Sequence, residues 1–415
     1  MQYKNSQENL FSSFTNSQRE ILKKLSLISD DLNVSFYLVG GTVRDLYLER
    51  SPEDLDILVS DWDTDFLKVA QVLNGEIVKK SQFNTVKIQL SFGEIDFTTF
   101  RKEKYNFPAA LPIVSKGTIE DDLSRRDFTI NAMAIPLSNK IDRELIDPFN
   151  GLQDLSNRLL RVLHSKSFID DPTRILRGIR YKCRFELEWE SSTKQFLNDG
   201  KEYIKNLSGD RIRNELVRIF SETLVPNMLS ELNVLGIWEN CDPNISFQEY
   251  PFSELSEFLG SRNYSRENRE LILVAFLASL LISKSERETF KSMLNMDKTW
   301  IKMTDSVGVL FDLSSYDLLN NYKLLVSKMK NLPIEAIDVF SFVHKNTKFS
   351  ELLRKYLREK ENYSPMLTGN DLIAIGVPKG HLVGKLLDAI SELRIEGDIV
   401  TKEDEIAFVY EKIKS

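Results

Sequence analysis

Short apolar runs of period two alternate with helical stretches through the first third of the chain: "SFYLVGG", "LDILVS", "TVKIQLSFGEIDFTTF" and, after a longer irregular segment, "DFTINAMAI". Strands and helices interleaved over so short a span predict an α+β unit on a small mixed sheet. From Asp147 onward the strand signals fade, and amphipathic helical patterns follow one another to the last residues. The turn-forming "DPFNGLQDL", Asp147 to Leu155, carries Pro148 and Gly151 and marks the expected boundary between the two regimes. The most apolar stretch, "ELILVAFLASLLIS", Glu270 to Ser283, is too short to span a bilayer and predicts a buried helix.

One strand pair carries unusual side chains. In "YLVGGTVRDLYLERSPEDLDILVS" a strand, Tyr37 to Val39, meets Gly40 and Gly41, then a helix start bearing Arg44 and Asp45, then a second strand from Asp54 to Val59. Alternation along that strand puts Asp54 and Asp56 on one face and turns Leu55 toward the core. Two carboxylates side by side repel, and a divalent cation between them relieves the repulsion. The glycines let a triphosphate approach the backbone, with Arg44 in reach of its phosphates. Asp96 in "GEIDFTTFR" is either a third carboxylate of this group or a surface residue.

Two further clusters are cationic. "DDLSRRDFTINAMAI" places Arg125, Arg126 and Asp127 before an alternating run, which reads as a charged strand entry. In "DDPTRILRGIRYKCRF", Asp171 suits an N-cap and Pro172 the first helical position. On that helix Arg174, Arg177, Arg180 and Arg184 gather on one side, and Ile175, Leu176, Ile179 and Cys183 on another. The irregular segment "KEKYNFPAALPIVSKGTIE", Lys102 to Glu120, is too long for a simple connection, and Pro108 and Pro112 keep it out of regular structure.

Bulk properties narrow the class. A chain of 415 residues with a net charge of −7 is long enough for two to four domains and does not coat nucleic acid by charge alone, although a local basic surface remains compatible. Two cysteines, Cys183 and Cys241, and three scattered histidines, His164, His344 and His381, exclude a disulfide framework and a Cys/His zinc site. No leader or membrane-spanning segment is recognisable, so a reducing cytoplasm is expected.

Read in order, "LVGGTVRD" with "DLDILV", "RRDFTINAMAI", "DPFNG", "DDPTRILRGIRY" and "SGDRIRNELVRI" resemble the successive motifs of the class II tRNA nucleotidyltransferases, the CCA-adding enzymes and their bacterial poly(A) polymerase relatives. The likeness covers roughly the first 220 residues, and the segment from Gly369 also looks like the family's C-terminal part. It implies a nucleotidyltransferase head at 1–146, a helical neck with base recognition at 147–224, a helical body at 225–345 and a tRNA-binding helical tail at 346–415. The implied activity is template-independent addition of CCA, or part of it, to the 3′ end of tRNA from CTP and ATP with Mg²⁺. A-adding or CC-adding enzymes and poly(A) polymerases share the motifs, and an idle RNA-binding protein is the non-enzymatic alternative. A small-molecule nucleotidyltransferase would leave the helical half unexplained.

The resemblance assigns catalysis and metal binding to Asp54 and Asp56, nucleotide contacts to Gly41, Arg44, Arg126, Arg177 and Arg180, and base reading to Asp171 and Arg174. The chemistry of the last pair is intelligible. Cytosine and adenine both present an amino donor beside a ring-nitrogen acceptor, which a carboxylate and a guanidinium complement, whereas uracil and guanine present the reverse. Asp170 stands where the family usually has Glu. A loop at Lys102 to Glu120 is implied to reshape the pocket as specificity passes from C to A.

Overall fold

The computed structural model describes residues 11–52, 54–81, 83–137, 144–261, 264–314 and 321–414. The chain divides after Cys241 into two compact units.

The first unit begins with helix α1 (Asn16–Leu32), started by a reciprocal capping box in which Thr15 and Gln18 satisfy each other's backbone N–H groups. Its apolar stripe, Ile21, Leu22, Leu25 and Ile28, packs into the core of a six-stranded sheet. The strands are β1 (Phe36–Val39), β2 (Leu55–Val59), β3 (Glu76–Lys80), β4 (Thr85–Leu90), β5 (Gly93–Thr99) and, beyond a separate hairpin, β8 (Ala134–Pro136), in the order β3-β4-β5-β2-β1-β8. Only β2 and β5 pair in parallel, which makes the sheet mixed, as expected. The alternation that buries Leu55, Ile57, Ile95 and Phe97 turns Asp56 and Asp96 to the opposite face, and the register sets those two residues side by side.

Four local expectations change. Strand β2 starts at Leu55, so Asp54 stands one residue before the ladder. "TVKIQLSFGEIDFTTF" is not one run but the antiparallel pair β4 and β5. The segment expected to be irregular contains the hairpin β6 (Arg101–Lys104) and β7 (Ile113–Lys116) and the start of α4 (Ile119–Ser124). Strand β6 carries charges on both sides and β7 is a short run of two apolar and two polar residues; neither buries a face, so they show no apolar alternation, and Pro108 and Pro112 sit in the connecting turn, where a missing N–H costs no ladder bond. "DFTINAMAI" is strand only at its end: Phe128 makes a lone bridge to Val162, and Thr129–Asn131 is a 3₁₀ turn.

Helices dominate after the expected boundary. Asp147 accepts hydrogen bonds from the amides of Gly151 and Leu152, starting α5 (Gly151–Ser156), and any side chain at Gly151 would collide with the Thr129 carbonyl. Then come α6 (Ser167–Asp170), α7 (Thr173–Phe185), α8 (Ser191–Gly200), α9 (Gly209–Phe220), α10 (Val225–Val234) and α11 (Ile237–Cys241), with α7 packed against α9 and α10. The ring cluster of Phe128, Phe168, Tyr181 and Trp189 joins α7 to the 3₁₀ turn and α6.

The regular elements of the second unit's described residues are all helices. Its centre is α13 (Arg266–Ser279), where Ile272 to Ala278 are buried on all sides, as the apolar run predicts. Further along, a buried ion pair between Arg394 and Glu405 (2.9 Å) closes the C-terminal helices, with Glu405 also accepting from the amides of Met366 and Leu367. No helix among the described residues is long and apolar enough to cross a membrane. Cys183 and Cys241 are free thiols.

Candidate functional site

A cavity of about 550 Å³ opens in the first unit, lined by the sheet face of Gly40, Gly41, Asp56 and Asp96 and by the arginine face of α7. Eight of the nine residues singled out from the sequence line it: Gly41, Arg44, Asp56, Arg126, Asp171, Arg174, Arg177 and Arg180. Asp54 is the exception, exposed just outside β2. Asp96 lines the cavity and is therefore part of the acidic group rather than an outlying surface residue. Asp170 ends α6 and does not line it. Eight arginines face six carboxylates around the wall, an excess of positive charge that suits a polyanion.

The acidic end is built by the turn from β1 into helix α2 (Gly41–Tyr47). Gly40 adopts φ +65°, and a Cβ there would lie 2.7 Å from Arg126 Nη1, so a larger residue would strain the turn and push Arg126 aside. Thr42, unnoticed in the sequence, donates to the Asp54 carbonyl (3.2 Å) and accepts from the Asp56 amide (3.0 Å), fixing the start of β2 against α2. Burial pushes the Asp56 carboxyl up to about 6; Arg126 and Arg44 pull it down, while Asp96 and Asp54 push it further up. Lys87 Nζ lies 3.5 Å from Asp96 and neutralises part of that charge. Carboxylate oxygens such as those of Asp56 and Asp96 are the donor type that fits a hard divalent cation such as Mg²⁺. No group of three or more His, Cys, Asp or Glu among the described residues is gathered to hold a metal.

The cationic wall is held by acids that the sequence did not assign. Arg44 is buried, donates to Asn131 Oδ1 (2.6 Å) and to Asp45, and lies 4.2 Å from the Phe185 ring centroid. Arg126 donates to Asp122 (3.1 Å) and keeps a buried Nε without a partner. Arg177 is gripped by Asp127 (2.8 Å from Nε); burial alone would raise that carboxyl, but Arg177 and Asn131 outweigh it and hold it well below the usual carboxylate range. Arg180 reaches Glu222 (3.4 Å) and also retains a buried, unpartnered Nε. Helix α9, from "GDRIRNEL", contributes Glu215 to the wall.

The third part is the start of α7. Asp171 lies one position further out than an N-cap: the helix begins at Thr173, and Asp171 Oδ1 accepts from the Thr173 amide (3.1 Å) and hydroxyl (2.6 Å). This Asx-type turn arises because Pro172 has no N–H to give. Arg174, 4% exposed, donates to Ser167 Oγ (2.6 Å) and to the Arg125 carbonyl (2.7 Å). Arg125 is itself held by Glu103 of β6 (3.1 Å). Asp171 and Arg174 are therefore fixed separately, and both keep hydrogen-bonding capacity toward the cavity.

Comparison with known proteins agrees with this site. Residues 36–161 match the poly A polymerase head domain. An A-adding tRNA nucleotidyltransferase of Halalkalibacterium halodurans is 31% identical over 418 residues, covering 96% of this chain and 93% of that one. A solved CCA-adding enzyme in its apo form superposes with a TM-score of 0.75 at 27% identity, covering 99% of this chain and 100% of the other. The Thermotoga maritima CCA-adding enzyme complexed with tRNA-CCA gives 0.70 at 26% identity, with both chains fully covered. The fold, the motif order and an identity of 31% over nearly the whole length lead to one conclusion: the chain is a nucleotidyltransferase and belongs to the class II family of CCA-adding and A-adding tRNA nucleotidyltransferases.

Proposed function

We propose that this enzyme adds nucleotides of the CCA sequence, the terminal A included, to the 3′ end of tRNA from CTP and ATP without a nucleic-acid template. The observation that carries the reading is one cavity in which Asp56 and Asp96, an arginine face and the Asp171–Arg174 pair converge. A Mg²⁺ held by Asp54 and Asp56 would supply charge neutralisation at the triphosphate and ionisation of the RNA 3′ hydroxyl. Arg44, Arg126, Arg177 and Arg180 orient the triphosphate, so that the hydroxyl oxygen, its proton lost to water, bonds to the α-phosphorus as pyrophosphate departs with the bond's electron pair. Asp171 accepts from the amino group of cytosine or adenine and Arg174 donates to the ring nitrogen beside it.

A second reading, addition of A alone, is favoured by the A-adding activity named for the Halalkalibacterium halodurans relative. Purified enzyme is given tRNA ending at the discriminator base, or in CC, with CTP and ATP separately and together. Full CCA on the first tRNA supports the main reading; growth only on the CC-ending tRNA supports the second; long A tracts would assign a poly(A) polymerase, and no incorporation would overturn both readings.

A further inference from the structure

We infer that Arg211 of α9 is a positioning residue for base selection, fixing Asp171 with one arm of its guanidinium and the tip of the β6–β7 hairpin with the other. The inference rests on the reading of Asp171 proposed above and extends it to a residue on another helix. Arg211 Nη2 donates to Asp171 Oδ1 at 2.7 Å, and Nη1 donates to the Ala109 carbonyl at 2.8 Å. The hairpin tip is docked at the same place by a second bond, from the Ala109 amide to the carbonyl of Ile169 (3.1 Å), two residues before Asp171. Ala109 holds φ +62°, a left-handed conformation that costs an alanine roughly 1 kcal/mol or more and persists only where the surroundings impose it. Ala109 and Ala110 are buried, whereas Phe107 and Leu111 on either side are 67% and 63% exposed. At the hairpin tip the buried residues are thus the small ones, and Arg211 bonds to the first of them.

The geometry has a direct consequence at the carboxylate. Thr173 and Arg211 both use Oδ1, so Oδ2 keeps no protein partner among the described residues and is the oxygen offered to a base. Without Arg211 the carboxylate is held by Thr173 alone, from one side, and its fit to an amino donor loses definition. A guanidinium is a rigid planar fork; displacing the Ala109 carbonyl relative to Asp171 breaks one arm or moves the carboxylate with it. A lysine at this position could hold Asp171 but not both acceptors in that geometry.

Full-length wild type, Arg211→Met and Arg211→Lys would be compared for kcat/KM with CTP against UTP on tRNA ending at the discriminator base and with ATP against GTP on tRNA ending in CC. Amide hydrogen exchange over residues 105–112 would be followed without nucleotide. Arg211→Met is expected to shrink the matched-to-mismatched ratio roughly tenfold or more, through a gain for the mismatched nucleotide as well as a loss for the matched one, and to speed exchange at Ala109. Arg211→Lys should recover part of the ratio without recovering protection. Ratios unchanged in Arg211→Met, or an equal loss for all four nucleotides, would overturn the inference and leave Arg211 a structural residue. Matched incorporation by wild type keeps the underlying reading sound in either case, whereas wild type that extends no tRNA overturns that reading and the base-selection claim with it, and the exchange data then report the hold on Ala109 alone.

Discussion

Asp56 is a carboxylate kept where ionisation is costly. Its pKa stands at about 6, above the ordinary 3.8, with burial as the first cause. The folded chain therefore binds this proton more readily than the unfolded chain: the stabilisation is present below pH 4, is lost as pH rises through about 6, and stays lost above it. Asp56→Asn should thus raise stability at pH 8 in the absence of divalent ions by about 1 to 2 kcal/mol, while abolishing nucleotide incorporation. Thermal unfolding at pH 8 and pH 4, with and without MgCl₂, checks it: the variant's advantage should shrink at low pH and when Mg²⁺ relieves the wild type. Asp54→Ala should abolish incorporation too, and normal turnover by either variant would move the metal site elsewhere. At the other end of the cavity, removing one buried charged hydrogen bond costs on the order of 1 to 3 kcal/mol. Arg174→Ala should therefore narrow the preference for CTP over UTP about tenfold; an equal fall for all four nucleotides would make Arg174 a phosphate ligand or a scaffold residue.

Among the elements, the β6–β7 hairpin has the sharpest consequence. Replacing Phe107 to Val114 by a short Gly-Ser link should leave CTP incorporation largely intact and collapse ATP incorporation onto tRNA ending in CC, measured as initial rates on the two tRNAs. Equal loss of both would reduce the hairpin to scaffolding, and full retention of A addition would place the whole switch on α7. The hairpin was also the element least legible in the sequence, because β6 is charged at every position, β7 is a short run of two apolar and two polar residues, and neither strand buries a face. The sheet strands were legible because burying Leu55, Ile57, Ile95 and Phe97 imposes a period of two. Helix α7 was legible from its arginines, but their partners were not: Asp127 lies 50 residues before Arg177, and Glu222 lies 42 after Arg180. Ion pairs formed across such distances leave no local period. Asp127 and Arg211 did stand inside quoted motifs; nothing but the folded geometry told that one grips an arginine and the other a carboxylate.

On the scale of the whole molecule, every residue lining the cavity falls between Val39 and Glu215, within the unit that ends at Cys241. A chain truncated after Cys241 should retain nucleotide binding and lose most of its affinity for tRNA, and the full chain's affinity should fall steeply with salt, since helical contacts to an acceptor arm are chiefly to phosphates and shape. Filter binding of both chains to tRNA across a salt series checks it; equal affinity would assign the second unit a different partner. The separate anchoring of Asp171 and Arg174 bears on the kind of mistakes such an enzyme makes. One reader leads through Arg211 to Ala109, the other through the Arg125 carbonyl to Glu103, and both lines end on the same hairpin. A defect in that hairpin then blurs both edges of the incoming letter together. Its signature is a broad misspelling of tRNA ends, with U and G admitted alike, rather than the clean exchange of one letter for another that a change at a single reader would leave.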